Sequence, residues 1–307
     1  MSAERRVPGE PRGPAGAKRP GDDGLVYACL THVPLTLEFP PWIVPIHLGQ
    51  AQRPGALNLR DLAPEWNAHH PELGSTAGAF ALARLVRERF PNAARVGICQ
   101  YRKFVSRARI TGVRDPRYRV MDVVPRAMLD AVVLDEALWP GEARFLVTAP
   151  RRFTRVPWHR RGYLKEYARD HCVEDLLRFT SEAVETGALE RREVLDFHRE
   201  DVIVPGGVEL GVYPADFWLA STTLVEQVAR ACVERYGTRR DGYQARLWSF
   251  CAERLGSWLL LKRLRAEVGA RPFAGIEPIG RRYWATRFCG QLNLVGEPAH
   301  AGYRGGV

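Results

Sequence analysis

Short apolar runs alternate with longer amphipathic stretches along most of this chain, and that alternation restricts the fold more than any other feature. Residues 25–30 (LVYACL) form a continuous apolar run of the kind buried on both faces of a parallel sheet. Residues 42–48 (WIVPIHL) are a second extended piece, and Pro45 predicts an edge or loop position for it. Residues 75–90 read as an amphipathic helix, which Ser75 or Thr76 can cap and Pro91 ends. Residues 94–99 (ARVGIC) and 144–148 (RFLVT) are further strand candidates. Residues 164–185, 222–236 and 244–265 read as helices, and 210–220 as an aromatic, strand-like piece. Strands separated by helices call for a mostly parallel sheet with crossover helices on its faces.

With 307 residues, 46% of them hydrophobic, the chain can fill one large domain or two small ones. The alternation favours one domain over residues 25–284. Residues 1–24 are rich in Pro, Gly and Arg without periodicity and read as a disordered tail; residues 285–307 read as a second tail. The formal net charge is +10, which favours anionic partners, although an arginine-rich proteome would carry the same excess. Cys29, Cys99, Cys172, Cys232, Cys251 and Cys289 are far apart and mostly inside apolar runs, which argues against a zinc site or a disulfide framework. No apolar run approaches the roughly 20 residues a membrane span needs, and no apolar core follows the N-terminal arginines. The expectation is a cytoplasmic protein with at most peripheral contact with an anionic membrane.

In open α/β sheets ligands gather beyond the carboxyl ends of the strands. Thr31 and His32, residues 100–104 and residues 148–152 are therefore the places to look. The sharpest is Gly97-Ile98-Cys99-Gln100-Tyr101-Arg102-Lys103-Phe104, where an apolar strand ends in a polar, aromatic and doubly cationic cluster. Arg and Lys there can hold phosphate oxygens, and Tyr101 can stack or donate a hydrogen bond; an ordinary exposed loop has the same composition.

That octapeptide resembles the Gly-Leu-Cys-His-Tyr-Arg-Arg-Tyr-Phe signature of a family of capsular and exopolysaccharide-synthesis proteins grouped with the GT-A glycosyltransferases. Other pieces resemble the family in the same order: Thr31-His32, Val44-Pro45-Ile46-His47-Leu48-Gly49, Tyr167-x-x-x-His171 with Asp175-Leu176, Asp216-Phe217-Trp218-Leu219, and Arg246 with Phe250-Cys251-Ala252-Glu253-Arg254-Leu255. The resemblance covers about residues 25–265. Two positions depart from it: Gln100 replaces the signature His, and Asp216 replaces an Asn. Gln neither titrates near neutral pH nor binds metal well.

The resemblance implies a GT-A-like fold and transfer of a sugar from a nucleotide diphosphate sugar, a UDP-sugar first among them, to a glycan or lipid-linked acceptor. Under it, Thr31, His32, Tyr101, Arg102 and Lys103 are the donor-binding residues, with His32 otherwise a plain loop residue, and Gln100, Tyr167, His171 and Trp218 face the acceptor sugar, with Tyr167 and His171 otherwise one packed helix face. Asp216 is the first candidate for the base that takes the acceptor proton, or else a capping residue. Glu253 is a second candidate, or half of a structural ion pair with Arg254. His69 and His70 read as surface. Many GT-A enzymes hold Mn or Mg with an Asp-x-Asp motif. None is evident here, Asp130, Asp135 and Glu136 being the nearest acids, so Arg102 and Lys103 are expected to neutralise the diphosphate instead of a metal. The basic, aromatic stretch 151–169 would suit nucleic acid or an anionic lipid surface. No nucleic-acid-binding motif accompanies it, so nucleic acid is not the expected partner. The rival readings are a non-catalytic glycan-binding protein and a nucleic-acid-binding protein.

Overall fold

A computed structural model describes residues 24–107, 113–114, 122–124, 126–148, 150–153, 162–237, 239–268 and 289–291. The strands in chain order are β1 (Leu25–Thr31), β2 (Ile43–His47), β3 (Leu57–Asn58), β4 (Arg95–Gln100), β5 (Lys103–Phe104), β6 (Val113–Arg114), β7 (Asp122–Val123), β8 (Leu146–Val147), β9 (Arg151–Arg152), β10 (Val202–Ile203), β11 (Gly211–Pro214) and β12 (Cys289–Gln291). Three one-turn helices, α1 (Leu59–Leu62), α2 (Pro64–Asn67) and α3 (His70–Leu73), lead into α4 (Ser75–Arg89). The others are α5 (Ala131–Leu138), α6 (Tyr163–Asp170), α7 (Val173–Glu185), α8 (Val194–Arg199), α9 (Ala215–Tyr236) and α10 (Leu247–Val268).

The main sheet runs β3-β2-β1-β4 in parallel. Beyond β4 it turns antiparallel: β11 pairs with the first part of β4, β8 with β11, β5 folds back from Gln100, and β12 pairs with β5. β1 is apolar throughout because both its faces are covered. Ala28, Leu30, Ile46, Val96 and Ile98 join a core shared with α4, α7, α9 and α10, while Tyr27, Cys29, Ile43 and Cys99 join a second core with Leu134 and Leu138 of α5. Each large side chain buried this way stabilises the fold by about 1.5–3 kcal/mol. Gly97 lets the Tyr27 ring cross β4, since a Cβ at that position would sit 2.1 Å from the ring.

The strand expectations for residues 25–30, 94–99 and 144–148 match β1, β4 and β8. Pro45 lies in a strand with neighbours on both sides, yet β3 reaches only Ile46 and His47, so the outer flank of β2 beside Pro45 is an edge. The helix expected over 164–185 is two, broken at His171, whose backbone is extended (φ −139°, ψ 170°). The strand expected over 210–220 ends at Pro214, and α9 begins at Ala215. Residues 289–291, expected in a tail, add an antiparallel strand to the sheet. Residues 1–23 and most of 285–307, the rest of the two expected tails, lie outside the described residues. Among the described residues no helix is long and apolar enough to cross a membrane.

Candidate functional site

The carboxyl ends of β1 and β4 lie side by side, and the turn after β4 is tied to β1 by the Tyr101 N–H donating to the Leu30 carbonyl at 3.0 Å. Thr31 is fully buried and its hydroxyl donates to the Val33 carbonyl, so it shapes the loop and presents nothing outward. His32 is exposed and meets the Tyr101 ring edge-on at 5.0 Å. Tyr101 is only 6% exposed, and the Arg102 guanidinium lies over its ring at 5.3 Å. Tyr101 is thus a packed support for His32 and Arg102, not the open stacking surface its sequence suggested.

A polar cluster fills the space between β4, the start of α4 and α10. Gln100 Nε2 donates to Ser75 Oγ at 3.0 Å, and Ser75 Oγ donates to Glu209 Oε2 at 2.8 Å. Thr76 Oγ1 donates to Glu209 Oε1 at 2.6 Å. Thr76 has one hydroxyl proton, so its 3.2 Å contact with Ser249 is Ser249 donating. Ser75 and Thr76 were expected to cap α4; the N-cap is Gly74, and both hydroxyls serve Glu209 instead.

Glu209 is 7% exposed. Burial pushes its carboxyl up to about 7, against the two hydroxyls that favour ionisation; the Glu253 charge raises it further and Lys103 opposes. Burial likewise holds half-buried Lys103 below the ordinary lysine range; Glu253 counters this, and the Arg102 and Arg246 charges add to it. Lys103 therefore feels the charges of Arg102, Arg246, Glu209 and Glu253, and Glu209 those of Lys103 and Glu253.

Glu209 is placed by a tight loop. Gly206 (φ +83°) and Gly207 (φ +50°) take conformations other residues rarely adopt, and a Cβ on Gly207 would lie 2.9 Å from the Glu253 backbone oxygen. The Gly206 N–H donates to Glu253 Oε1 at 2.8 Å. Tyr213 Oη donates to the Gly207 and Leu210 carbonyls, and Trp218 Nε1 to the Val208 carbonyl at 2.8 Å. Glu253 and Trp218 thus act together in a way their sequence positions did not suggest: both hold the loop that carries Glu209.

Several expected site residues stand elsewhere. Asp216 is exposed in the first turn of α9, beyond Pro214, which pairs with Arg95 at the start of β4. It therefore sits at the opposite end of β4 from Gln100, a strand length of about 17 Å separating Arg95 from Gln100. Trp218 and Tyr167 are fully buried and cannot meet a sugar; Tyr167 Oη faces the Leu247 carbonyl and Cys251. His171 is half-buried in an aromatic stack on Phe250 (4.1 Å) beside Tyr243, with Arg246 over both of the latter rings. Burial lowers its pKa. His69 and His70 are half-buried rather than surface residues; His69 pairs with Glu72 at 3.0 Å, and His70 packs on Gly49. Arg254 is paired with Glu166 at 2.7 Å more closely than with Glu253 at 3.5 Å.

Two of the acids nearest an Asp-x-Asp pattern have other partners. Asp130 caps α5 through Val133 N–H at 2.8 Å, and Asp135 accepts from Trp42 Nε1 at 2.5 Å. Among the described residues no three His, Cys, Asp or Glu side chains converge as a metal site. Within the basic stretch 151–169, Arg152 is paired with Asp201 and Arg169 with Asp170, while residues 154–161 lie outside the described residues.

No protein-family model and no curated protein matches the chain. Among solved structures it is similar to the apo form of WbbM, a bifunctional glycosyltransferase, with a TM-score of 0.63 and 12% identity over 88% of this chain and 45% of that one. The fold is GT-A-like. The chain spans under half the length of that protein, and likeness at 12% identity concerns the fold alone.

Proposed function

We propose that the chain is a glycosyltransferase that moves a hexose-type sugar from a UDP-sugar to a glycan or lipid-linked acceptor during surface-polysaccharide synthesis at the cytoplasmic face of the membrane. One observation carries this reading: Arg102 and Lys103 follow directly on the carboxyl end of β4, beside that of β1, and the Arg246 charge reaches Lys103. Such an end is where α/β folds take up phosphorylated ligands, and fixed positive charge there stabilises a departing diphosphate without reorganisation. Lys103, held below its usual pKa by burial, regains a favourable field when a diphosphate arrives. His32, exposed beside these cations, is placed to contact the nucleoside.

The test is a thermal-shift panel of UDP, UDP-glucose, UDP-galactose and a random oligonucleotide, each with excess chelator or with manganese. A ligand at a hundred times its Kd adds about 2.7 kcal/mol to stability. The UDP-sugars are expected to raise the Tm in chelator as well as in manganese. A shift by the oligonucleotide alone would contradict the reading, and UDP-sugar shifts that vanish in chelator would contradict its metal-free part.

A further inference from the structure

The base expected at Asp216 lies at the wrong end of the sheet, whereas a carboxylate that the sequence did not single out lies at the right one. We propose that Glu209, acting through the Ser75 hydroxyl, accepts the proton of the acceptor alcohol in a single-displacement transfer. The inference rests on the glycosyltransferase reading above.

The geometry is a directed chain. Gln100 Nε2 donates to Ser75 Oγ, and Ser75 Oγ donates to Glu209 Oε2. A serine oxygen has two acceptor sites; Gln100 fills one, and an incoming alcohol can use the other. As the alcohol oxygen bonds to the anomeric carbon, the bond from that carbon to the donor phosphate breaks. The alcohol proton passes to Ser75 Oγ, and the Ser75 proton passes to Glu209. The diphosphate leaves with the electron pair beside Arg102, Lys103 and Arg246. Gln100 needs no titration for this role: its amide fixes the direction of the serine hydroxyl, which accounts for a non-titrating residue at the end of β4.

The groups facing Glu209 suit a base that works near neutral pH. Ser75 and Thr76 come from α4, Lys103 from β5, Glu253 from α10, and Tyr213 from β11. The carboxyl, raised to about 7, is ionised often enough to accept a proton and basic enough to hold it. Glu209→Gln keeps one acceptor oxygen and reverses the other contact, its amide donating to a hydroxyl as the protonated acid would, which suits it to preserve the fold.

The experiment measures UDP release from UDP-glucose and UDP-galactose, with water as the acceptor, across pH 5 to 9, together with UDP-sugar affinity by calorimetry. Glu209→Gln is expected to lower turnover about 100-fold or more, to abolish the acidic limb of the pH profile near 7, and to leave affinity within about threefold. Ser75→Ala should lose at least about tenfold, and Ser75→Thr should restore most of it. From an α-linked donor the first sugar released should be the β anomer, read by proton NMR before mutarotation. Unchanged turnover and pH profile in Glu209→Gln, or release of the α anomer, overturns the inference while the glycosyltransferase reading stands. A parent protein that takes up neither UDP-sugar overturns both.

Discussion

At the start of β4, Arg95 donates to the Gly141 and Ala143 carbonyls at 2.7 and 2.9 Å, and Asp216 lies exposed in the first turn of α9. At its finish, Gln100, Ser75 and Glu209 form a hydrogen-bonded chain, and Lys103 sits half-buried among Arg102, Arg246, Glu209 and Glu253. The residue types at the two ends are alike. At the start Arg95 has backbone partners, and the favourable place for an acid at a helix N-terminus explains Asp216. At the finish Glu209 is buried and Lys103 half-buried among other charges, so the ionisation of these two is shifted and a charged ligand can rebalance them. Burial of the charge, rather than charge as such, sets Glu209 and Lys103 apart from Asp216.

The comparison can be broken at its foundation first. Arg254 is 5% exposed and clamps α10 to Glu166 beneath the working end. Arg254→Met should cost about 3–5 kcal/mol in urea unfolding, since it strands a buried carboxylate; a loss under about 1 kcal/mol would mean the clamp is not structural. A smaller effect sharpens the account of Glu209. Its folded-state pKa is raised from 4.5 to about 7, so the folded protein binds a proton that the unfolded chain has released. Stability from this source is fully present below 4.5 and is lost as pH rises to about 7, by on the order of 3 kcal/mol. Glu209→Gln does not titrate, so its stability relative to the parent should climb by that amount between pH 5 and pH 8; a pH-independent difference would contradict the buried, shifted carboxyl. The smallest effect belongs to the starting end. Asp216→Asn should leave UDP release within about twofold and cost only about 0.5 kcal/mol of stability, whereas a tenfold loss of turnover would return the base to that end.

The elements were legible where a local pattern decided them. The continuous apolar run of β1 and the strand that ends just before Tyr101-Arg102-Lys103 follow from burial on two faces, and they put those cations at a strand end. What was not legible depends on contacts between distant residues. Thr76 and Glu209 are 133 positions apart, and nothing local distinguishes a serine and threonine that cap a helix from a pair turned toward a carboxylate. The antiparallel run of β11 along β4 carries Asp216 to the far end, and the helix starting at Ala215 takes the Trp218 indole into the core. The pair Gly206-Gly207 was the one local sign of the loop that presents Glu209, since adjacent glycines mark a tight turn or a close backbone approach.

The central claim is that a donor diphosphate is held by cations at the finishing end of β4. Calorimetric titration of UDP-glucose and UDP-galactose into the parent, Asp216→Asn and the double variant Arg102→Met with Lys103→Met tests it directly. Two charge-assisted contacts are worth about 1.5–3 kcal/mol each, so the double variant should bind at least about 100-fold more weakly while Asp216→Asn binds like the parent. A folded double variant that takes up both sugar nucleotides as tightly as the parent would contradict the account.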